Sequence, residues 1–258
     1  MIRLFLAAGS ALLVAACAGG PSSRDEDSHR QKLSQIYAEK GAAYLSEGEV
    51  KVAVMDLRKS LEFDPENASA HGTLAIVYER LDMLEEAEKH YRHAAELMPE
   101  DSAIVNNYGR FLCRQGRYEQ GLELLAKAGS DKLYTDRWKP LTNAGECALA
   151  AGRPEEAKRY LREALDLNPN AAPTLKAMTK LQTLQGQYLS ARGFLQRYEA
   201  VAPPTQETLR LGYRIESALG DRQAAQAYRE RLDTFSLQKK DMDHSTSQNA
   251  KPDPTEKE

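Results

Sequence analysis

Aromatic side chains are scarce in this sequence, at 7% of 258 residues with a single tryptophan. Alanine and leucine supply the apolar content instead, as a helical array requires. No basic surplus exists either: 35 Lys and Arg stand against 38 Asp and Glu, a net charge of −3. That balance gives no ground for a nucleic-acid partner. The longest apolar run, Leu4 to Ala16, is broken by Gly9 and Ser10 and is too short to cross a bilayer as a mature helix. No nucleophile elbow, phosphate loop or zinc-protease motif is present, so no catalytic residue, cofactor or small-molecule substrate is assigned. His90 and His93 stand at i, i+3. With no cysteine or third histidine nearby they are too thin a ligand set for a metal, and a solvated helix face accounts for them. The remaining composition, 41% hydrophobic and 28% charged, is that of a soluble globular chain.

What is present is a pattern written twice at a spacing of 34 residues. Counting Ser34 as position 1, the first copy places Tyr37 at 4, Gly41 at 8, Tyr44 at 11, Gly48 at 15, Ala53 at 20, Leu57 at 24, Ser60 at 27 and Pro65 at 32. The second places His71, Ala75, Tyr78, Asp82, Ala87, Tyr91, Ala94 and Pro99 in the same slots. Small residues at 8, 20 and 27 let two helices of a hairpin approach, and large ones at 11 and 24 fill the space beside the crossing. Glycine at 15 suits the left-handed end of the first helix. Proline at 32 stops the second. The pattern resembles the tetratricopeptide repeat (TPR).

The pattern continues. A third repeat from Ser102 has Val105, Gly109, Leu112, Gly116, Gly121 and Leu125 in register, but no proline at 32, and the next repeat starts two residues late. This predicts a shorter second helix and an ordered connector, with Leu133, Tyr134 and Trp138 packing down. The fourth repeat, from Trp138, is regular. The fifth, from Ala172, has Thr179 at position 8, and the sixth, from Gln206, is degenerate, as terminal repeats are. The expected organisation is a signal peptide over 1–16, a flexible tether over 17–33, a TPR array over 34–239 (34–67, 68–101, 102–137, 138–171, 172–205, 206–239) and a disordered tail over 240–258. The fold class is an all-α TPR solenoid of six helix-turn-helix repeats, right-handed by the resemblance. No residues are left over for a catalytic domain.

Arg3, the short apolar run and the small residues after it read as a secretory signal. Its end, Leu13-Val14-Ala15-Ala16-Cys17, looks like a bacterial lipobox. That resemblance implies acylation of Cys17, with three chains anchoring the mature protein. Alanine at 18 in place of aspartate implies sorting to the outer membrane.

In a TPR superhelix, positions 2, 5, 9 and 12 of each first helix line the concave face. Those positions give Gln35, Ala38, Ala42 and Leu45, then Ser69, Gly72, Ile76 and Glu79, with Asn106 and Arg110 from the third repeat. The first two repeats are small and apolar there, so partner binding is expected to concentrate on them, with a basic stretch of Lys176, Lys180, Arg210 and Arg214 contributing less; the alternative is that Leu45 and Ile76 merely pack between neighbouring helices. Asn106 and Asn107 either hint at hydrogen bonds across the groove or reflect only a first-turn place for Asn106, where asparagine costs little. Cys113 and Cys147 lie on first helices that run side by side. They are either a disulfide, which export favours, or two unpaired thiols in helix packing.

The stretches VNNYGRFLCRQGRYEQGLELLAKA, KLYTDRWKPLTNAGECALAAG and LRLGYRIESALGDRQAAQAYRERL resemble the type IV pilus biogenesis/stability protein family, PilF/PilW, over the whole mature chain. The resemblance implies a monomeric outer-membrane lipoprotein facing the periplasm of a Gram-negative bacterium. It would act as a pilotin, binding secretin subunits and promoting their outer-membrane localisation and multimerisation, with twitching motility depending on it. The alternative is a generic periplasmic TPR lipoprotein that scaffolds cell-envelope enzymes.

Overall fold

The computed structural model describes residues 23–249. Cys17 and the expected signal peptide therefore lie outside the described residues, as does the end of the expected tail. Twelve α-helices and no strands are found among the described residues, and they come in pairs. The first helices of the pairs are α1 (Ser23–Glu47), α3 (Ala68–Arg80), α5 (Ser102–Arg114), α7 (Trp138–Ala150), α9 (Ala172–Leu184) and α11 (Gln206–Leu219). The second helices are α2 (Val50–Phe63), α4 (Leu84–Leu97), α6 (Tyr118–Ser130), α8 (Pro154–Leu167), α10 (Tyr188–Glu199) and α12 (Arg222–Asn249). This is the all-α TPR solenoid. The chain forms two compact bodies that part between Thr73 and Leu74, inside α3.

In the N-terminal body, α1 packs along α2. Ser34 and Ser60, both fully buried, bond to each other, with Ser60 Oγ donating to the Ser34 carbonyl at 2.7 Å. Asn67 Nδ2 donates to Ser34 Oγ at 2.8 Å, so the small residue at position 27 and the end of the repeat are tied to its first residue. Tyr37 stacks on Phe63 with ring centroids 5.6 Å apart. Helix α1 starts at Ser23, so the segment 23–33, expected as tether, is helical. No proline or glycine occurs within residues 23–33, Glu26 and Asp27 favour the N-terminal dipole end of α1, and Arg30 donates to the Glu62 carbonyl at 3.0 Å. The same reason extends α12 to Asn249, into the expected tail: neither proline nor glycine occurs between Arg222 and Asn249.

In the C-terminal body, α5 packs on α6, α7 on α8, α9 on α10 and α11 on α12. First helices also meet in sequence, α5 with α7, α7 with α9 and α9 with α11. Position 15 is left-handed in every repeat. Gly116 has φ of 77°, whereas Asp82 holds the same conformation at φ 59°, which a short polar side chain tolerates. Thr179, at the small-residue position 8, is fully buried and donates to the Leu175 carbonyl at 2.8 Å, which disposes of its hydroxyl. Gly212, one position early in the last repeat, leaves the room that the Tyr228 ring fills.

The connector after α6 departs from expectation. Leu133 is 92% exposed rather than packed down, while Tyr134 and Trp138 are half-buried and Trp138 rests on the core of repeats three and four. Asp131 explains the turn. Its carboxylate accepts from Ser102 Oγ at 2.7 Å and from the Leu133 amide at 2.9 Å, and its carbonyl accepts from the Tyr134 amide at 3.1 Å. The backbone is fixed by these bonds, and Leu133 is turned outward.

Gly145 and Leu161 show what the crossing demands. A methyl group on Gly145 would fall inside van der Waals distance of the Leu161 side chain and 3.4 Å from the Ala157 carbonyl, and Leu161 is fully buried. Gly145→Ala should therefore cost about 1–3 kcal/mol despite its better helix propensity. Thermal unfolding followed by circular dichroism tests this: a variant that melts with the parent would show that Leu161 can move aside.

Candidate functional site

The concave face of the C-terminal body is built from the inward positions of α5, α7, α9 and α11. Two adjoining clefts lie along it. One, of about 620 Å³, is lined by Arg114, Glu146, Leu149, Ala150, Lys176, Ala177, Lys180, Leu184 and Glu207. The other, of about 440 Å³, shares Arg114, Glu146 and Ala150 and adds Arg110, Cys113, Tyr118, Asn143 and Cys147. The face is polar and charged with small apolar patches, and suits a peptide chain better than an apolar small molecule.

Glu79 anchors one end. Its side chain is only 8% exposed, and it accepts from Tyr91 Oη at 2.8 Å, Arg110 at 3.0 Å and Arg114 at 2.8 Å. Burial, and then the Glu79 hydrogen bond, drive the Tyr91 pKa far above the usual phenol range. Three donors converge on one carboxylate, so the two arginines are fixed between repeats two and three. Next along the floor, Asn143 Nδ2 donates to Asn106 Oδ1 at 2.8 Å, while Asn106 Nδ2 approaches Asn107 Oδ1 at 3.4 Å. The asparagines thus link neighbouring first helices.

Cys113 and Cys147 form a disulfide, with Cα atoms 5.5 Å apart and a sequence separation of 34 residues. Of the two sequence alternatives, the bridge is the one the structure contains. It joins α5 to α7 at the wall of the smaller cleft, and Gly121 leaves the space its sulfur occupies. Further along, Lys176 pairs with Glu207 at 3.3 Å. Glu146 touches solvent, yet the groove walls stand around it. Their desolvation raises its pKa, against the pull of Lys176 and Lys180.

The structure redistributes the expected groove residues. Ala38 and Leu45 are buried, 4% and 6% exposed, so they offer a partner almost no surface. Ala42 is exposed, and Gly72 and Ile76 are half-buried. Glu79 is occupied by the chain's own cations. Asn106 is buried beneath the floor, and Arg110 is half-buried on it. The sequence reading missed Glu146, Asn143 and Arg114. Glu146 was findable: it stands at position 9, where Arg110, Lys180 and Arg214 stand in the repeats around it. His90 stacks on Tyr78 at 5.4 Å, His93 faces Glu96 at 3.9 Å, and no cluster of three metal-ligating side chains occurs among the described residues.

Tetratricopeptide-repeat family models match residues 34–67, 68–101 and 148–210. The helix pairs and their concave face are those of a TPR protein. Over 202 residues the chain is 32% identical to the type IV pilus assembly protein PilF of Pseudomonas aeruginosa, covering 78% of this chain and 80% of that one. Among solved structures, that of Pseudomonas aeruginosa PilF superposes with a TM-score of 0.72 at 31% identity, over 80% of this chain and 93% of that one. The structure of PilW, a type IV pilus biogenesis factor, gives 0.73 at 29% identity, over 78% and 92%. The chain belongs to this PilF/PilW family of type IV pilus biogenesis proteins. A chain of the APC/C hetero-tetramer Cut9–Hcn1, at 15% identity and a TM-score of 0.68 over 78% of this chain and 40% of that one, shares the fold alone.

The disulfide closes a 34-residue loop, worth roughly 3–4 kcal/mol in the chain-entropy account. Replacing both cysteines with serine should lower the melting temperature by on the order of 10 °C. Differential scanning calorimetry of oxidised protein and double variant tests it, and coincident transitions would show that the bridge adds no stability.

Proposed function

We propose that this protein is a non-catalytic pilotin: a lipid-anchored periplasmic TPR protein that binds secretin subunits and promotes their localisation and multimerisation in the outer membrane. The observation that carries this reading is the identity to PilF across four-fifths of that protein, joined to superposition on both PilF and PilW. TPR grooves bind segments of partner proteins, and a lipid anchor converts binding into delivery. The Leu13–Cys17 sequence supplies the anchor in this reading, with diacylation at the Cys17 thiol. A polar, hydrogen-bonded groove floor suits the holding of one chain while leaving it able to leave for the assembled pore. Fixed donors give register, and a modest apolar area keeps release fast.

The deciding experiment is affinity capture of the full-length protein from detergent-solubilised envelopes. The secretin subunit should come along in stoichiometric amount. Recovery of cell-wall enzymes without secretin would replace the pilotin reading with an envelope scaffold.

Anchoring has its own test. Cys17→Ser should move the protein out of the outer-membrane fraction and leave the secretin mislocalised. A Cys17→Ser protein that still fractionates with the outer membrane would remove the lipid from the mechanism.

A further inference from the structure

Although the chain as a whole is acidic, its concave face is not. Positions 5 and 9 carry Lys176 and Lys180 on α9 and Arg210 and Arg214 on α11, four cations in two successive repeats at a spacing of 34. Within the same repeats and the one before, the carboxylates on that face are Glu146 at position 9 of α7 and Glu207 at position 2 of α11. Arg110 and Arg114 do not alter the sum greatly, because both are committed to Glu79. Within the lining of the larger cleft Lys176 and Lys180 balance Glu146 and Glu207, and it is Arg210 and Arg214, at positions 5 and 9 of α11 beside it, that give the face a cationic surplus in a protein whose net charge is −3. Such segregation attracts an anionic partner and repels a basic one.

The face also shows how it treats carboxylates. Glu79 is gripped by two guanidinium groups and a tyrosine hydroxyl, and Glu207 is held by Lys176. Glu146 faces Lys176 and Lys180, with Glu207 as the like charge and Arg110 as the further cation around it. Between these groups lie Ala150 and Leu184, the latter 58% exposed, which give a passing side chain something apolar to rest on.

We propose that the cleft formed by α7, α9 and α11 takes an extended acidic segment of the partner protein, with Lys176, Lys180, Arg210 and Arg214 receiving its carboxylates and Glu146 and Glu207 competing with them for the same cations. The proposal rests on the partner-binding reading above and assigns the chemistry of the segment bound. Glu146 is then a restraint on affinity. It weakens binding of the very segment its neighbours attract, and keeps the complex reversible.

The test titrates full-length protein into three labelled probes: a peptide of about ten residues rich in Asp and Glu, the same peptide with Asn and Gln in their place, and a single-stranded oligonucleotide. The acidic peptide should bind, weaken as salt screens the charges, and bind at least about tenfold better than its neutral counterpart. Lys180→Glu and Arg214→Glu, both at exposed positions and both checked for an unchanged melting temperature, should each weaken it by about tenfold. Glu146→Gln should tighten it by about threefold, an effect that a merely structural role for Glu146 would not produce. Equal binding of the neutral peptide, insensitivity to Lys180→Glu, or an oligonucleotide bound as tightly as the peptide would each overturn the proposal. Purified secretin subunit, run in parallel, separates the two readings. Secretin bound equally by parent and Lys180→Glu protein refutes the acidic-segment proposal and leaves the pilotin reading intact. An acidic peptide bound as described, with secretin not bound at all, supports the proposal and refutes the pilotin reading.

Discussion

The structure depends on one steric constraint, the small space left where the two helices of a repeat cross, which in repeats one, three and four is kept by the absence of any side chain. Gly41 faces Leu57, Gly109 faces Leu125 and Gly145 faces Leu161, each leucine fully buried and seated where a Cβ on the glycine would lie. Each pair is a knob in a gap one methyl group deep, and an interior packed like a crystal has no slack to absorb another carbon. The close approach sets the hairpin, and the hairpin fixes which face of the first helix is turned away from its partner. That outward face becomes the groove. Chemistry at positions 5 and 9 is thus positioned by packing at positions 8 and 24.

Those crossings are local, and locality explains what could be read in advance. The 34-residue period, the position-15 turns and the starts of α3, α5, α7, α9 and α11 follow from small residues, glycines and prolines at fixed offsets. Each acts within its own repeat. Where a signal depended on contacts between repeats, it was faint. Leu45 has the position of a groove residue and the burial of a core residue, because position 12 faces whatever the surrounding helices place against it. Glu79 has the same position and a different fate, since Tyr91, Arg110 and Arg114 all converge on it from outside its helix. The outward turn of Leu133 followed from Asp131 hydrogen bonds that no hydrophobic pattern reports. At both ends the helices run further than their polarity suggests, because it is the lack of proline and glycine in residues 23–33 and 222–249 that decides their extent.

Three devices tie neighbouring repeats of the C-terminal body together along the groove. Glu79 holds Arg110 and Arg114 across repeats two and three, Asn143 bonds to Asn106 across repeats three and four, and the Cys113–Cys147 bridge joins the same two covalently. A repeat array is held by nearest-neighbour contacts, so each interface is a place where it can flex. Bonds placed on the concave side restrain flexing there most directly. The floor at repeats two to four is therefore fixed before a ligand arrives, which lowers the ordering cost of association.

From repeat five onward the character of the face changes. Helix α9 offers Lys176 and Lys180, and α11 offers Arg210 and Arg214, long side chains on flexible stems with exposed heads at three of the four positions. Lysine and arginine heads of this kind steer an approaching anionic chain and adjust to it, and the rate of encounter gains more than the depth of binding. A rigid, hydrogen-bonded half lies next to an adaptable, charged half. On the binding proposed above, the first would set where an acidic segment lies and the second would draw it in, with Glu146 at the boundary on α7 competing for the same cations and so limiting how long the segment stays.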